Sequence, residues 1–351
     1  MLVNVVDLFC GAGGLTYGLQ QAGLRVIAGY DIDPTCRYAY EKNNNSLFVQ
    51  KSVTDLGENE LLKHYQEGSL KVLAGCAPCQ PFSSYSKQSQ KSLVKKNDQR
   101  WALLYSFSKQ IKNVKPDIVT MENVPGLLAH QVFHDFVRDL KSQGYHVWYN
   151  IVYCPEYGMA QTRSRLVLLA SLLGDIELIP PTHTKDNYKT LREVIGYLPP
   201  VSAGETDPID QLHRAASLSE INLKRIIASK PGGTWKDWPE SLLAECHKKA
   251  SGASYTAVYG RMSWDKLGST VTTQCTGYGN GRFGHPEQNR AITLREAAIL
   301  QSFPRDYDFW PKERPVENKN VARMIGNAVP VRLGEVVGIS IKNHIEKHIN
   351  K

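Results

Sequence analysis

The sequence predicts an α/β protein with a doubly wound first domain and a second, smaller, loop-rich domain. Two observations predict this architecture. Short apolar runs alternate with amphipathic stretches through the first half of the chain, as strands and helices do in a layered α/β domain. From about residue 180 to residue 290, glycine, proline, serine, threonine and basic residues are frequent and strongly periodic segments are few, which is typical of loops.

Each apolar run of the first half is predicted to be a strand, and the amphipathic stretches between runs are predicted to be helices. The predicted strands are residues 2–9, 25–30, 47–51, 71–75, 117–122, 146–153 and 165–171. The predicted helices are residues 15–22, 34–43, 59–65, 101–114, 132–143, 294–303 and 329–348. Because the last helix is long enough to pack back onto the first domain, residues 1–179 and 320–351 are assigned to that domain, and residues 180–319 to the smaller domain with its hinge.

The composition is that of an ordinary globular protein with an excess of basic residues. The chain has 351 residues, of which 42% are hydrophobic and 22% are charged. Lysine and arginine total 42 against 34 for aspartate and glutamate, so the net charge is +8, which favours a polyanionic partner. No apolar run looks long enough to span a bilayer, and the first residues lack a signal-peptide pattern. We therefore predict a cytoplasmic protein with no membrane partner.

Seven cysteines are spread along the chain, at positions 10, 36, 76, 79, 154, 246 and 275. An odd number of cysteines in a reducing compartment argues against a disulfide framework. A structural zinc site usually takes four ligands in two close pairs, and only Cys76 and Cys79 form such a pair, so we predict no metal site. The Cys76-Ala-Pro-Cys79 pair itself is compatible with a redox centre, a nucleophile beside a bystander, or two packed thiols.

A glycine-rich turn follows the first predicted strand, in the segment DLFCGAGGL from Asp7 to Leu15. A strand, a glycine-rich turn and a helix place a nucleotide against backbone amides in many proteins, although the same turn also occurs without a ligand. The dinucleotide fingerprint is incomplete, because the third glycine is missing at its required offset. The second strand leads into Asp31-Ile32-Asp33, where a carboxylate can accept hydrogen bonds from ribose hydroxyls. Together these features favour an adenosine-containing cofactor.

Cys79 follows the fourth predicted strand, at the sheet edge where α/β domains hold their ligands. Pro78 and Pro81 stiffen the chain around it, and the polar segment 83–99 that follows contains four lysines. Such a cationic loop is suited to close over an anionic ligand. Although a free cysteine is more often a packed thiol, this position favours a nucleophile with a lowered pKa.

Glu122 ends the fifth predicted strand, and Arg163 and Arg165 lie two residues apart where the seventh begins. A carboxylate at this edge is either a structural partner of a backbone amide or a catalytic acid that faces the same cleft as Cys79. Residues two apart on a strand share a face, so the two guanidinium groups are either solvated or placed to hold an anion or polarise a carbonyl.

These motifs, taken together, resemble those of DNA (cytosine-5)-methyltransferases of the compact bacterial restriction–modification type. DLFCGAGGL, PCQPFS, ENV, QTRSR, REAAILQSFP and GNAVP occur in the order and spacing of that family. The resemblance covers the first half and both ends of the chain, whereas residues 180–290 contain no matching motif. It implies a Rossmann-like S-adenosylmethionine-dependent methyltransferase domain joined to a smaller target-recognition domain.

The resemblance also implies catalytic roles. Cys79 would attack carbon 6 of a cytosine and make carbon 5 nucleophilic, and Glu122 would hold the exocyclic amine and ring nitrogen 3. Arg165 would contact the base carbonyl, and Arg163 the adduct region or a nearby phosphate. An unactivated aromatic carbon needs a covalent adduct before it can accept a methyl group, so the chemistry is sound on general grounds. Cys76 matches no catalytic position of the family and is predicted to be a packed thiol.

The implied cofactor is S-adenosylmethionine, which leaves as S-adenosylhomocysteine. The matching positions for it are Asp7, Phe9, Gly11, Gly14, Leu15, Asp31, Ile32, Ser52, Val53, Pro78, Asn327 and Val329. The chain departs from the family pattern at Ala77 and Leu15, where larger or more rigid residues are frequent. It also has Ser52 where an acidic contact to the adenine amine is expected.

DNA contacts are predicted in two segments. The cationic loop contributes four residues, Ser83, Ser84, Tyr85 and Lys87. The segment 260–285 of the smaller domain combines glycines, which let the backbone approach a groove, with side chains suited to base edges or phosphates, namely Arg261, Thr270, Thr272, Gln274 and Arg282.

The predicted enzyme is a DNA (cytosine-5-)-methyltransferase. It transfers a methyl group from S-adenosylmethionine to carbon 5 of a flipped-out cytosine in a short specific double-stranded DNA sequence, through a covalent Cys79 adduct. Its predicted role is to protect host DNA in restriction–modification, with a cognate restriction endonuclease as a functional but not a physical partner. We expect a monomer in the bacterial cytoplasm or nucleoid.

Three alternatives compete with this prediction. A transfer RNA cytosine-5 methyltransferase shares most of the motifs, but it would not need the long stretch between residues 165 and 295. A thioredoxin-like redox protein would use Cys76 and Cys79 and would need none of the other motifs. A DNA-binding regulator without catalysis should carry a damaged Pro-Cys-Gln or Glu-Asn-Val motif, and both are intact.

Overall fold

A computed structural model describes residues 2–78, 99–249, 252 and 256–349 of the protein. The chain divides into two compact units. The first unit contains Met1–Tyr157, Ser164–Pro181 and Val329–Lys351, and the second contains Gly158–Arg163 and Thr182–Ala328.

The described part of the first unit is built on a seven-stranded sheet with the order β3-β2-β1-β4-β5-β7-β6. The strands are β1 Val3–Leu8, β2 Arg25–Asp31, β3 Leu47–Gln50, β4 Leu70–Gly75, β5 Ile118–Asn123, β6 His146–Tyr153 and β7 Ser164–Ser171. Strands β1 to β5 pair in parallel, whereas β7 runs antiparallel to both β5 and β6. The structure confirms the mixed α/β class, and each predicted strand agrees with an observed one to within one residue at either end.

Ten α-helices occur in the described residues. They are α1 Gly14–Gln21, α2 Arg37–Asn43, α3 Gln99–Val114, α4 Gln131–Ser142, α5 Leu191–Ile195, α6 Glu220–Ala228, α7 Glu245–Lys248, α8 Leu294–Leu300, α9 Asn318–Asn327 and α10 Val331–Ile349. The predicted helix at residues 59–65 is wrong, because this segment forms turns and a short 3-10 segment, Leu62–His64. Its Glu60 carboxylate accepts from the Gly57 amide and pairs with Lys51, which holds a turn in place of a helix.

The two faces of the sheet are covered by different helices. Successive strand residues point to opposite faces. On β1, Val6 and Leu8 lie in one large core cluster with Phe107 of α3 and Phe133 of α4. Asp7 points to the other face, where its Oδ2 accepts a hydrogen bond from a hydroxyl of α1. The sheet is therefore covered on both sides, and its strand ends are the positions left to hold ligands.

Helix α10 packs directly on α1 through glycines. A Cβ atom at Gly18 would lie 2.3 Å from the Val331 carbonyl oxygen, and one at Gly338 would lie 2.6 Å from the Ala22 Cβ. The two helix backbones are thus in contact over these positions. Because α1 follows the glycine-rich turn without a break, its packing on α10 fixes the position of that turn.

The length and composition of Asn318–His348 are sufficient for a membrane span. No apolar run of this length was expected from the sequence, and this stretch, which contains α9 and α10, meets the requirement by length and composition only. However, 67% of the apolar window is buried inside the protein. In α10, the buried side chains include Leu333, Val336 and Ile341, and α10 packs on α1, so its apolar character is explained by core packing.

The second unit depends on side-chain clusters more than on regular elements. Trp235, Trp238 and Tyr278 form an aromatic core with Ile226 of α6. A separate buried ion pair joins Arg290 to Glu296, with Nη1–Oε2 at 2.8 Å. The same carboxylate accepts the Thr293 amide at 2.7 Å, and the Thr293 hydroxyl accepts the Glu296 amide, which completes a capping box at the start of α8.

Next to this ion pair, His285 is held in its neutral form. Its Nδ1 accepts the backbone N–H groups of Glu287 and Gln288 at 3.2 and 2.9 Å, so the proton resides on Nε2. Burial lowers the pKa of His285 from 6.5 to about 4. The charges of Arg290 and Arg261 act in the same direction, and Glu296 opposes them.

Replacing Gly18 by alanine should destabilise the protein, because the new methyl group would meet the Val331 carbonyl oxygen in α10. The overpacking penalty of about 1–3 kcal/mol should exceed the helix-propensity gain of about 1 kcal/mol. Gly57→Ala is the control, because a Cβ there meets no atom within 4 Å. Urea unfolding measures both variants. An equal stability for Gly18→Ala and Gly57→Ala would contradict the close approach of the two helices.

Acid should weaken the protein through His285. The unfolded state takes up the proton near pH 6.5 and the folded state only near 4, so stability is full above 6.5 and falls as the pH is lowered towards 4. At about pH 5 the loss should be roughly 2 kcal/mol relative to about pH 7.5. Urea unfolding of wild type and His285→Gln at both pH values tests this. The variant should be less stable at neutral pH but less sensitive to acid, and an unchanged pH dependence would exclude His285 as the source.

Candidate functional site

The carboxyl ends of β1 and β2 are joined through Asp31. Its Oδ2 accepts the Gly11 amide at 2.9 Å, and its Oδ1 accepts the Asp33 amide at 2.9 Å. Between these strands the backbone turns with positive φ angles at Phe9 (61°), Gly11 (51°) and Gly13 (90°). Phe9 is the one of the three with a Cβ atom, and its ring packs against the core cluster. The carboxylate therefore organises the glycine-rich turn.

The turn leaves space beside it that suits a nucleoside-like ligand. A Cβ atom at Gly11 would have no other atom within 4 Å. Ile32, which follows the β2 carboxylate, is 68% exposed and offers an apolar surface next to it. A backbone turn rich in amides, an acceptor carboxylate and an exposed aliphatic side chain are the groups that an adenosine moiety needs.

Asp7 is fixed inside the protein. It is fully buried, its Oδ2 accepts the Thr16 hydroxyl at 2.7 Å, and its Oδ1 has no hydrogen-bond partner. Burial raises the pKa of Asp7 to about 7, and the nearby charge of Asp31 adds to this. The carboxyl group thus ties α1 to β1, behind the glycine-rich turn.

The other predicted cofactor residues have different surroundings. Gly14 and Leu15 are buried at the start of α1, and Val53 is part of the core cluster, so its main chain is the part left for a ligand. Ser52 caps a 3-10 turn by accepting the Thr54 amide. Pro78 is exposed and Val329 is buried in the first unit, whereas Asn327 is an exposed residue of the second unit.

Asn123 ties the end of β5 to the chain that follows β4. Its Nδ2 donates to the Ala77 carbonyl oxygen at 3.0 Å, and its Oδ1 accepts the Val124 amide at 2.9 Å. Asn123 is 4% exposed, so this bond is shielded from water. The bond fixes the main chain two residues before Cys79. Sequence reasoning missed this role, although Asn123 is the central residue of the Glu-Asn-Val motif.

Cys76 has the properties of a packed thiol. Burial raises the pKa of Cys76 well above its ordinary value, and the neighbouring Glu122 charge acts in the same direction. The thiol therefore stays protonated at neutral pH and is a poor nucleophile.

Within the described ranges, no group of three or more His, Cys, Asp or Glu side chains is arranged to hold a metal ion.

Glu122 and Arg165 form an ion pair at the same edge, with Arg165 Nε 2.7 Å from Glu122 Oε1. Both side chains are 13% exposed. The antiparallel register opposes Glu122 to Val167, so Arg165 is the diagonal neighbour of Glu122 on the same face. The Arg165 Nη1 also donates to the Ser164 carbonyl oxygen at 2.8 Å. The pair sets a carboxylate and a guanidinium beside Cys76 and Ala77.

Five predicted site residues lie outside the described residues. They are Cys79, Ser83, Ser84, Tyr85 and Lys87.

Arg163 differs from its predicted placement. It precedes β7, which begins at Ser164, so it does not share a strand face with Arg165. Arg163 belongs to the second unit, where it is 2% exposed and its Nη1 donates to the Val271 carbonyl oxygen at 2.9 Å. Its Nη2 lies 3.5 Å from the carbonyl oxygens of Gly326 and Ala328. These contacts do not support the predicted contact with an adduct or a phosphate, because the guanidinium is turned inwards.

The predicted DNA contact of Arg261 is also corrected. Arg261 is 5% exposed, and its guanidinium donates to six acceptors inside the second unit. They are the carbonyl oxygens of His285, Ile226, Ser229, Glu287 and Gln288, and Oδ1 of Asn289, at 2.8–3.1 Å. A guanidinium has five N–H donors, so none remains for a base or a phosphate. The physical reason for the difference is that irregular chain segments leave carbonyl oxygens that need donors.

The remaining predicted DNA contacts are distributed along one loop. Thr270 donates its hydroxyl to the Thr162 carbonyl oxygen, and the Thr272 hydroxyl accepts the Gln274 amide at 3.3 Å. Arg282 is half-buried, and its Nη1 donates to the carbonyl oxygens of Gly232, Gly233 and Arg261. The Gln274 side chain is exposed.

Gln161 is a second residue that sequence reasoning missed. It is fully buried, and its Oε1 accepts the Val271 amide at 3.2 Å while its Nε2 donates to Leu300 and Gln301. It therefore joins α8 to the loop that carries Thr272 and Gln274. Gln161 is the first residue of the Gln-Thr-Arg-Ser-Arg motif, and this position is the sequence feature that could have indicated its role.

Comparisons with known proteins show the family of this chain. A family model described as C-5 cytosine-specific DNA methylase matches residues 3–343. The Type II methylase M.HgiDII of Herpetosiphon aurantiacus is 53% identical over 349 residues, which cover 99% of this chain and 97% of the relative. The Type II methyltransferase M1.HphI of Haemophilus parahaemolyticus is 31% identical, with 97% and 87% covered.

The fold is also shared with solved structures. The methyltransferase EhMeth of Entamoeba histolytica superposes with a TM-score of 0.68 over 100% of both chains, at 16% identity. This similarity concerns the fold alone, whereas the sequence matches extend over almost the whole chain. The chain therefore belongs to the C-5 cytosine-specific DNA methylase family and is a DNA (cytosine-5-)-methyltransferase.

Proposed function

We propose that this enzyme methylates carbon 5 of a flipped-out cytosine in a short specific sequence of double-stranded DNA, with S-adenosylmethionine as the methyl donor and Cys79 as the nucleophile. The observation that carries the proposal is the edge formed by β4, β5 and β7. There the Glu122–Arg165 pair lies beside the main chain that leads to Cys79. Asn123 holds this main chain through its hydrogen bond to Ala77. The 53% identical Type II methylase supports a role in restriction–modification.

S-adenosylmethionine, when bound, supplies an electrophilic methyl group. The residues at the ends of β1 and β2 suit it, since Asp31 is an acceptor at the strand end and Gly11 leaves open space beside the turn. Ile32 offers an exposed aliphatic surface for a purine ring. We propose that these three residues hold the cofactor, together with the main chain of Phe9, Gly14, Leu15, Ser52, Val53 and Pro78, and with Val329 and Asn327. Asp7 holds the turn from behind.

The cytosine chemistry requires a thiolate and a proton donor. In the proposed reaction the Cys79 thiolate bonds to carbon 6 of cytosine, and electrons shift to carbon 5, which then takes the methyl group. Glu122 donates a hydrogen bond or proton at ring nitrogen 3, which accepts the displaced charge, and it holds the exocyclic amine. Arg165 contacts the base carbonyl. Solvent water then takes the proton from carbon 5, its electron pair re-forms the double bond to carbon 6, and Cys79 leaves as the thiolate while ring nitrogen 3 returns its proton to Glu122.

The ion pair with Arg165 has a consequence for this chemistry. The Arg165 guanidinium lies 2.7 Å from the Glu122 carboxylate, so the two side chains can contact neighbouring edges of one base. A base whose carbonyl binds Arg165 competes with Glu122 for that guanidinium. Binding of the base is therefore expected to rearrange this ion pair.

On a stacked and paired cytosine, the Glu122 carboxylate cannot reach ring nitrogen 3 and the Cys79 thiolate cannot reach carbon 6. The base therefore has to leave the helix. The catalytic and cofactor-binding domain is proposed to comprise residues 1–179 and 320–351. Reading of the sequence is assigned to the small target-recognition domain within residues 180–319, with loop residues Thr270, Thr272, Gln274 and Arg282 as candidates. The cationic residues after Cys79, among them Lys87, are candidates for phosphate contacts together with Ser83, Ser84 and Tyr85.

The remaining parts of the proposal follow the Type II relatives. A restriction endonuclease that cuts the same sequence is its functional partner, and the enzyme acts as a monomer in the bacterial cytoplasm or nucleoid. Methylation of transfer RNA is the weaker alternative, because three relatives that match nearly all of this chain, M.HgiDII, M1.HphI and M.Eco47II, carry the name of Type II enzymes. The long second unit also suits a target-reading function.

Replacing Cys79 by alanine should abolish both methyl transfer and covalent trapping on DNA that contains 5-fluorocytosine, because no bond to carbon 6 can form. Cys76→Ala is the matched control. It should remain active and lose about 1 kcal/mol of stability through a small cavity. Trapping is measured on denaturing gels. If both variants lost trapping equally, the redox or metal interpretation of the pair would replace the nucleophile.

Replacing Asn123 by alanine should slow the reaction by roughly ten- to a hundredfold, because the chain before Cys79 would lose its anchor. The unpaired Ala77 carbonyl should also cost about 1–3 kcal/mol of stability. Single-turnover rates of adduct formation and the affinity for S-adenosylhomocysteine are the measurements, and the affinity should change little. Asn150→Ala is the control, because Asn150 bonds its own neighbour Ile151 on the outer strand β6. Equal rates for the two variants would remove the positioning role of Asn123.

A further inference from the structure

The five residues of the second unit that were candidates for DNA contacts are not equivalent in the structure. Arg261 has all its donors engaged, Thr270 donates its hydroxyl to Thr162, and Arg282 donates to three carbonyl oxygens. The Thr272 hydroxyl accepts the Gln274 amide. The Gln274 side-chain amide is exposed and makes no hydrogen bond to any described residue. Both of its polar groups are therefore available to a ligand.

The main chain that carries this amide is held on both sides. The Gln274 N–H donates to the Thr272 hydroxyl, and its carbonyl oxygen accepts from the Gly277 amide at 3.1 Å and from Asn280 Nδ2 at 3.3 Å. The next residue, Cys275, is fully buried. A free side chain on a fixed main chain loses less entropy on binding, which is the arrangement expected of a recognition residue.

The base of the loop is fixed by three further contacts. Val271 accepts a hydrogen bond from Arg163 at 2.9 Å and donates one to Gln161 at 3.2 Å. Gly326, near the end of α9, lies against the Thr272–Thr273 peptide, because a Cβ atom there would be 2.3 Å from the Thr273 nitrogen. The inward turn of Arg163 thus has a function, since it holds the segment that leads to Gln274.

The chemistry of the exposed group selects its partner. A glutamine amide has a donor and an acceptor side by side, and adenine presents the complementary pair in the major groove, its N7 acceptor and N6 donor. Guanine presents two acceptors there, so only one of the two bonds could form. Thr273 is the other exposed side chain at this point, but its hydroxyl rotates and can serve either base.

We propose that Gln274 is a specificity-determining residue that reads one adenine in the major groove of the target sequence. The recognition sequence then contains at least one A·T pair that this residue discriminates from G·C. The inference rests on the proposed function, because it assumes that the second unit binds DNA. It adds the identity of the base and of the side chain that reads it.

The test begins with the target. Bisulfite sequencing of plasmid DNA from cells that express the wild-type protein gives the methylated sequence. Short duplexes are then prepared in which 7-deazaadenine replaces each adenine in turn, which removes the N7 acceptor. For wild type, one such position should lower kcat/KM by roughly 5- to 150-fold, because the glutamine N–H that N7 accepted loses its partner.

The variant Gln274→Ala loses both bonds, so it should methylate the unmodified duplex at this lowered rate or more slowly and show no further loss with 7-deazaadenine at that one position. It should also accept G·C there more readily than wild type does. Thr273→Ala is the matched control, since it alters the same exposed site without removing an amide, and it should keep the sensitivity to 7-deazaadenine. A merely structural effect would lower the rate of Gln274→Ala but leave that sensitivity intact.

Two results would overturn the proposal. One is a methylated sequence without an A·T pair, and the other is a Gln274→Ala variant as sensitive as wild type at every adenine. Both leave the proposed function standing, since methylation of a defined sequence would have been observed. If wild type methylated no cytosine at all, the proposed function would fail first, and this inference with it.

Discussion

The parallel pairing of β1 with β2 on one side and with β4 on the other is the constraint on which the first unit depends. Parallel strands end at a common edge, so the glycine-rich turn, Asp31 and the chain after Cys76 meet there. β5 continues the parallel set and adds Glu122 and Asn123. β7 runs the opposite way, so its first residues are the ones that reach this edge. That reversal explains why Arg165 comes from the start of a strand and Glu122 from the end of one.

The second unit is held together by the hydrogen bonds of buried arginines. Its chain is largely irregular, so many carbonyl oxygens lack the donors that a helix or sheet would supply. Buried arginines provide them. Arg261 bonds six acceptors, five of which are main-chain oxygens, and Arg290 bonds the carbonyl oxygens of Val201 and Ala291 as well as Glu296. Each guanidinium joins segments that are far apart in sequence, and its desolvation is offset by a full set of hydrogen bonds.

The elements that could be predicted are those whose signal is local. Every strand of the sheet is a short apolar run, and the structure places each one within a residue of its prediction. The failures come from tertiary contacts. The segment 59–65 has the composition of a helix, but the bonds of Glu60 to Gly57 and Lys51 hold a turn. Helix α9 was missed in the sequence, although Val321, Ala322 and Ile325 give it a buried face.

In the candidate site, too, some positions could be predicted from local sequence and others depend on tertiary contacts. The carboxylates Asp31 and Glu122 end strands, so strand prediction was enough to bring them to one edge. Arginine positions could not be inferred so directly, because the same side chain serves equally well as a solvent-facing cation or as an internal donor. Arg163 and Arg261 turn inwards because carbonyl oxygens of distant segments are within reach of them, which only the folded structure reveals. Arg165, two residues from Arg163, instead finds a carboxylate on the neighbouring strand.

In the second unit, the buried side chains that stabilise the fold are different from the exposed side chains that are available to a ligand. The internal hydrogen bonds of Arg163, Gln161 and Arg261 involve main-chain atoms almost entirely, so they fix the path of the loop without specifying its exposed side chains. Thr273 and Gln274 are exposed, and the hydrogen bonds that fix the main chain at this point do not involve their side chains. A surface residue away from buried features usually changes stability by less than about 0.5 kcal/mol. The frame can therefore keep its stability while the exposed residues change.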